Sequence, residues 1–149
     1  IYPHLPPIPN RPEFFGEQTL LDSEDEPVGT EPRLLLTALD LTIGQLTRDI
    51  NAAGGLAVPA HINRGANGLL VNLGMLPPDE HFAALEVSNA VPAPDCDTGA
   101  YKLLYSSDAH CLENIAEREY FLNVPECSSK GLFEYLCACR ERVWSANFC

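Results

Sequence analysis

Positive charge is what this chain has least of. Its 9 Lys and Arg residues face 21 Asp and Glu, giving a formal net charge of -12. Sequence-independent binding of nucleic acid needs clustered Lys and Arg against phosphates, so this balance argues against long nucleic acid as a partner. An anionic substrate remains possible if metal cations stand between it and the protein, because bound ions dominate the local field. No apolar run approaches the roughly 20 residues of a membrane span, and no basic-plus-apolar leader opens the chain. A membrane is therefore not expected as a partner, and a cytoplasmic location is. The first residue is Ile1 and not Met, so the expectation is a chain that begins inside a longer reading frame or has been trimmed. The 6 cysteines (Cys96, Cys111, Cys127, Cys137, Cys139 and Cys149) are not spaced like a small disulfide framework. Reduced thiols are the expectation. Cys137 and Cys139 are two apart on a predicted helix and point to different faces, which favours one packed and one exposed thiol over metal binding. Internal repeats are also lacking.

What is present suffices for a core: 46% of the 149 residues are hydrophobic, which suits one domain or a piece of a larger one. Residues 1–16 are proline-rich and read as an extended connection. Glu17–Leu21 reads as a short strand, Asp22–Gly29 as an acidic, solvated turn, and Arg33–Leu36 either pairs back as the second strand of a hairpin, the preferred reading, or starts a helix. Thr42, with Gln45 three residues on, forms a capping box for a helix whose apolar face is Ile43, Leu46 and Ile50. Gly54-Gly55 ends it, and the strand Leu56–Ala60 follows. Leu69–Leu76 reads as a short helix or turn stopped by Pro77-Pro78. Ala84–Ser88, Lys102–Tyr105 and Tyr120–Val124 read as further strands, Leu112–Ala116 as a helical turn, and Ser129 as the cap of a final helix to about Trp144, with Leu132, Leu136, Cys139 and Val143 along one side. The strands are short continuous apolar runs, which favours an α/β fold with a parallel sheet buried on both faces.

Two of these strands end in coordinating side chains. Leu56–Ala60 runs straight into His61, and Lys102–Tyr105 leads to Ser107-Asp108-Ala109-His110. The C-terminal rim of a parallel sheet or barrel is where α/β folds place their chemistry. Imidazole beside carboxylate suits zinc, manganese or iron. Each residue also has a plainer reading. Asp108 could cap the following helical turn, and His110 or His61 could be an ordinary histidine. Arg64 is either a bidentate phosphate partner or one half of a surface salt bridge. Glu86 either supports the site from behind the ligands or is a strand-end charge facing solvent. His4 and His81 lack supporting context and read as surface histidines.

In order, Val58-Pro59-Ala60-His61-Ile62-Asn63-Arg64, Ala84-Leu85-Glu86-Val87-Ser88-Asn89 and Ser106-Ser107-Asp108-Ala109-His110 resemble the later motifs of the PHP (polymerase and histidinol phosphatase) family of metal-dependent phosphoesterases. Leu5-Pro6-Pro7-Ile8-Pro9-Asn10 with Phe15-Gly16-Glu17-Gln18 is similar to an insertion in one bacterial branch of that family. The resemblance implies a distorted (β/α) barrel with a metal cluster at the strand C-termini. It implies residues 1–41 as a Pro-rich segment with a hairpin insertion, and residues 42–149 as the C-terminal half of a PHP-like catalytic domain. His61, Asp108 and His110 would be metal ligands, Arg64 a phosphate contact by analogy, and a metal-bound hydroxide would attack a phosphate ester.

The family's earlier motifs, a His-x-His pair, an Asp-His motif, a Glu and a further His, are absent here. The family pattern also commonly has Asp where this chain has Asn63. The expectation is thus the C-terminal part of a PHP barrel whose partner is the missing N-terminal half of the same domain, inactive on its own. In full-length form it would hydrolyse a small phosphorylated metabolite or nucleotide. Two other readings stand beside this one. One is a non-catalytic PHP-like binding or regulatory module. The other is a single-site zinc protein using His61, Asp108, His110 and a nearby thiol such as Cys111.

Overall fold

The computed structural model describes residues 1–78 and 80–146, with the backbone alone from residue 140 on. The chain is mixed α/β and divides into two compact units, Ile1–Thr42 and Ile43–Cys149. Among the described residues no helix is long and apolar enough to cross a membrane.

The first unit is more than a proline-rich connection. Pro12 stands at the start of a one-turn helix, α1 (Pro12–Phe15), where its missing N–H costs nothing. The expected hairpin is present, but its return strand is not Arg33–Leu36. Strand β1 (Thr19–Leu21) pairs antiparallel with β2 (Pro27–Thr30), in the register Thr19↔Thr30. The turn is tighter because the Asp22 carboxylate accepts the N–H groups of Glu24 and Glu26 at 2.8 and 3.0 Å. Such local side-chain bonding by Asp nucleates turns. Arg33 instead makes an isolated bridge with Pro9. The Gln18 amide ties the unit together, donating to the carbonyls of Glu31 and Arg33 and accepting the Leu35 N–H.

The second unit opens on α2 (Ile43–Ala52), directly after Thr42. It closes as a Schellman motif: Gly54 N–H meets the Asn51 carbonyl, Gly55 N–H meets that of Ile50, and Gly54 has a φ of +79°. Of the expected apolar face, Ile43 and Ile50 pack on the core, while the fully covered positions are Gly44 and Thr47. Helix α3 (Leu69–Leu73) stops at the left-handed Gly74, before the prolines are reached.

Strands β3 (Leu85–Ser88) and β4 (Leu103–Ser106) pair in parallel, Leu85↔Leu103 through Ser88↔Ser106. Residues 56–60 lie along the other edge of β3 without becoming a regular strand. Ala83 N–H bonds to the Ala57 carbonyl and Glu86 N–H to that of Pro59, but Pro59 has no N–H with which to return a ladder bond. Side chains alternate across this layer as a strand's period of two requires. Ala57, Leu85 and Val87 face a cluster with Ile43, Ile50, Leu69 and Leu70. Ala84, Leu56, Val58 and Leu104 face another, with Leu136. The parallel, doubly covered layer read from the apolar runs is therefore present over these residues.

The last helix, α4 (Ser129–Ala146), is capped one residue earlier than expected. Ser128, not Ser129, accepts the Gly131 N–H on its hydroxyl at 3.1 Å. Leu136 and Cys139 are buried and Leu132 is exposed; Val143 lies outside the described side chains. Cys137 is half-buried, so Cys139 is the packed thiol of the pair. Residues 120–124 form no strand. Tyr120 stacks on Tyr105 with ring centroids 4.2 Å apart, and Phe121 is exposed. A short apolar run fits a strand or a covering loop equally well by periodicity. The expected helical turn after His110 is a 3-10 turn, Leu112–Asn114.

Candidate functional site

The site is built at the common end of three parallel segments: residues 56–60, β3 and β4. Glu86, inside β3, joins all three. Its carboxylate accepts the backbone N–H of His61 at 3.1 Å and the hydroxyl of Ser106 at the end of β4. Its own carbonyl accepts the Ile62 N–H at 2.9 Å. Glu86 is thus neither a strand-end charge in water nor an isolated core acid; it pins the turn that carries His61 to the sheet.

His61 has a φ of +29° and Asp108 one of +50°. The only other non-glycine residue with positive φ among the described residues is Asp25, in the hairpin turn. Left-handed backbone is costly for residues with a Cβ, and such strain concentrates where structure is held for a purpose other than stability. His61 Nδ1 is buried and has no hydrogen-bond partner.

Asn63 holds the next part of the rim. Its side-chain oxygen accepts the Ser88 N–H and its nitrogen donates to the Ser88 carbonyl, both at 2.9 Å, and also to the Pro92 carbonyl at 2.9 Å. The amide thereby continues the sheet beyond the end of β3. A carboxylate at this position could accept but not donate, so the Asn63 amide has a role that Asp could not fill.

Arg64 and Asp108 come together, 44 residues apart in sequence, as an ion pair between Nη1 and Oδ2. Asp108 does not cap the turn that follows; the cap position there is Cys111. The Asp108 carbonyl lies 2.8 Å from His110 Nδ1. A carbonyl can only accept, so Nδ1 is the donor in this contact, and the ring is exposed. Imidazoles that bind metals are commonly oriented in this manner.

Among the described residues, no three His, Cys, Asp or Glu side chains stand close enough together to hold a metal ion. Cys111 is exposed, with a free thiol. His4 is exposed, whereas His81 is half-buried and its carbonyl faces the Asn51 amide at 3.4 Å.

No family model, curated protein or solved structure matches the chain. The site therefore rests on its own geometry. Reading the sequence alone passed over Ser106 and the positive role of Asn63. Ser106 had a usable signal: in a parallel register that sets Glu86 opposite Leu104, the residue two further on returns to the same face. Asn63 had none, because its partners are backbone groups that only the fold brings near.

Proposed function

We propose that this rim is the portion of a metal-dependent phosphoesterase site carried by this chain, within the C-terminal part of a distorted (β/α) barrel of the PHP type. The observation that supports it best is that His61 and the Asp108–His110 turn follow neighbouring parallel segments at the same end, with positive φ at both His61 and Asp108, while no three such side chains among the described residues stand close enough to close a metal site by themselves. The donor set suits zinc, manganese or iron. His61 offers an unpartnered ring nitrogen, and His110 offers Nε2. Asp108 offers its carboxylate once Arg64 lets go. Arg64 then fits a phosphate by bidentate geometry. Glu86 orients the His61 turn. When bound, the cation would supply an activated water and polarise the phosphoryl oxygens. A small phosphorylated metabolite or nucleotide suits a chain with a net charge of -12 better than a polyanion does.

The non-catalytic binding module is the second reading, favoured by the Arg64–Asp108 pair, which neutralises the carboxylate without a metal. Both readings expect the purified chain to show no phosphomonoesterase turnover. Robust hydrolysis of p-nitrophenyl phosphate that disappears in His110→Ala would show that expectation wrong. Calorimetric titration with zinc or manganese separates the two. The metal-site reading expects weak binding that falls at least about tenfold in His61→Ala, Asp108→Asn and His110→Ala. Absence of binding favours the module. Binding that survives those substitutions and is lost in Cys111→Ser points to a thiol-dependent zinc site.

A further inference from the structure

We propose that the cavity lined by α2, α3 and residues 56–60 binds a neutral, mainly hydrocarbon molecule carrying one hydrogen-bonding group. The cavity belongs wholly to the second unit and measures about 460 Å³, inside the roughly 300–1,000 Å³ of small-molecule sites. Ile43 and Ile50 line it from α2, Leu69 from α3, and Ala57 and Val58 from the sheet layer, together with Phe82. Empty space among such side chains forgoes dispersion contacts that an apolar ligand restores.

Two features set the chemistry of the ligand. No charged side chain lines the cavity, although 20% of the chain is Asp, Glu, Lys or Arg. An ion taken there would lose water and gain no counter-ion, so the ligand is neutral. Thr47 supplies the polar contact. It is 3% exposed, its hydroxyl makes no hydrogen bond to the chain among the described residues, and its oxygen is not sealed off. The open side of that hydroxyl is therefore the cavity that the residue lines. A helical threonine can turn its hydroxyl back to the carbonyl one turn earlier; Thr47 does not, and stays open as donor and acceptor. The other polar side chains of the lining, Asn67 and Asn72, are exposed and stand at its mouth.

The test uses the full chain and three matched probes: 3-phenylpropanol, 3-phenylpropanoate and propylbenzene. In a proton–nitrogen NMR titration the alcohol is expected to shift amides of α2, α3 and residues 56–60 saturably. The carboxylate is expected to bind at least about tenfold more weakly, for want of a counter-ion. Thr47→Val keeps the shape of the side chain and removes the hydroxyl. It is expected to weaken the alcohol about three- to tenfold, the span of one net hydrogen bond, and to leave propylbenzene unchanged. Leu73, 45% exposed on α3, also lines the mouth. Leu73→Trp is expected to narrow it and abolish binding, with amide shifts outside the cavity unchanged. Absence of binding, equal binding of alcohol and carboxylate, or alcohol binding that survives Leu73→Trp overturns the proposal. So does a dimer in sedimentation that Leu73→Trp dissociates and the alcohol does not, which gives the cavity to a second copy of the chain.

Discussion

Asn63 makes three hydrogen bonds with backbone groups, two of them as donor. Asn63→Asp keeps the shape and sets a carboxylate against two carbonyl oxygens. The loss of two donated bonds is expected to destabilise the chain by about 1–3 kcal/mol, the range for leaving polar groups unsatisfied, and urea unfolding measures it. Glu31 is the comparable residue in the first unit. The Arg33 backbone N–H and then the Tyr2 hydroxyl hold its carboxyl below the ordinary value of 4.5, against a smaller upward push from burial. A carboxyl with a lowered folded pKa contributes stability that is present above its unfolded value and is lost as pH falls through the folded one. Carbon NMR of the Glu31 carboxyl is expected to show a midpoint below 4.5, moving up in Tyr2→Phe. A midpoint unchanged by that substitution would remove the hydroxyl from the account.

At the scale of elements, two glycines are required by close approach. A Cβ at Gly68 would lie 2.1 Å from the Arg64 carbonyl oxygen, and one at Gly131 would lie 2.1 Å from that of Glu126. Both obstacles are backbone, so the chain itself must move. Gly68→Ala is expected to cost about 1–3 kcal/mol by overpacking and to displace the loop that carries Arg64, read as changed amide shifts from His61 to Arg64. Ser128→Ala tests α4 separately. Losing the cap on the Gly131 N–H is expected to cost about 1 kcal/mol, measured by thermal unfolding, whereas Ser129→Ala should cost little.

For the whole molecule, charge is the governing property. With a net charge of -12, the chain as a whole repels a polyanion, and Arg64 at the rim is paired to Asp108. Fluorescence anisotropy with duplex DNA at about 0.1 M salt, where screening still leaves this repulsion effective, is expected to register no binding. Saturable binding there would overturn the preference for a small substrate. The layer of residues 56–60, β3 and β4 packs against apolar side chains on both faces, and a cavity remains beside each, one lined by Ile50, Ala57, Leu69 and Phe82 and the other by Leu104, Tyr120 and Leu136.

Much of the local grammar was legible in the chain. The Gly54-Gly55 stop, the apolar runs over β3 and β4, and the placing of His61 and Asp108 just past apolar segments follow from backbone freedom and hydrophobic pattern, which act over a few residues. What those patterns could not decide were partners. Pro59 decided that residues 56–60 would accept ladder bonds without returning them, and the Asp22 carboxylate decided where the hairpin turned. The joining of Glu86 to His61 and Ser106, of Asn63 to Ser88, and of Arg64 to Asp108 required segments 20 to 44 residues apart to meet. Sequence by itself determined which residues could do chemistry and at which ends of which segments. Only the tertiary structure decided that Arg64 sits on Asp108, because a contact between distant loops depends on strand order and register, and neither is encoded in the local pattern of either loop.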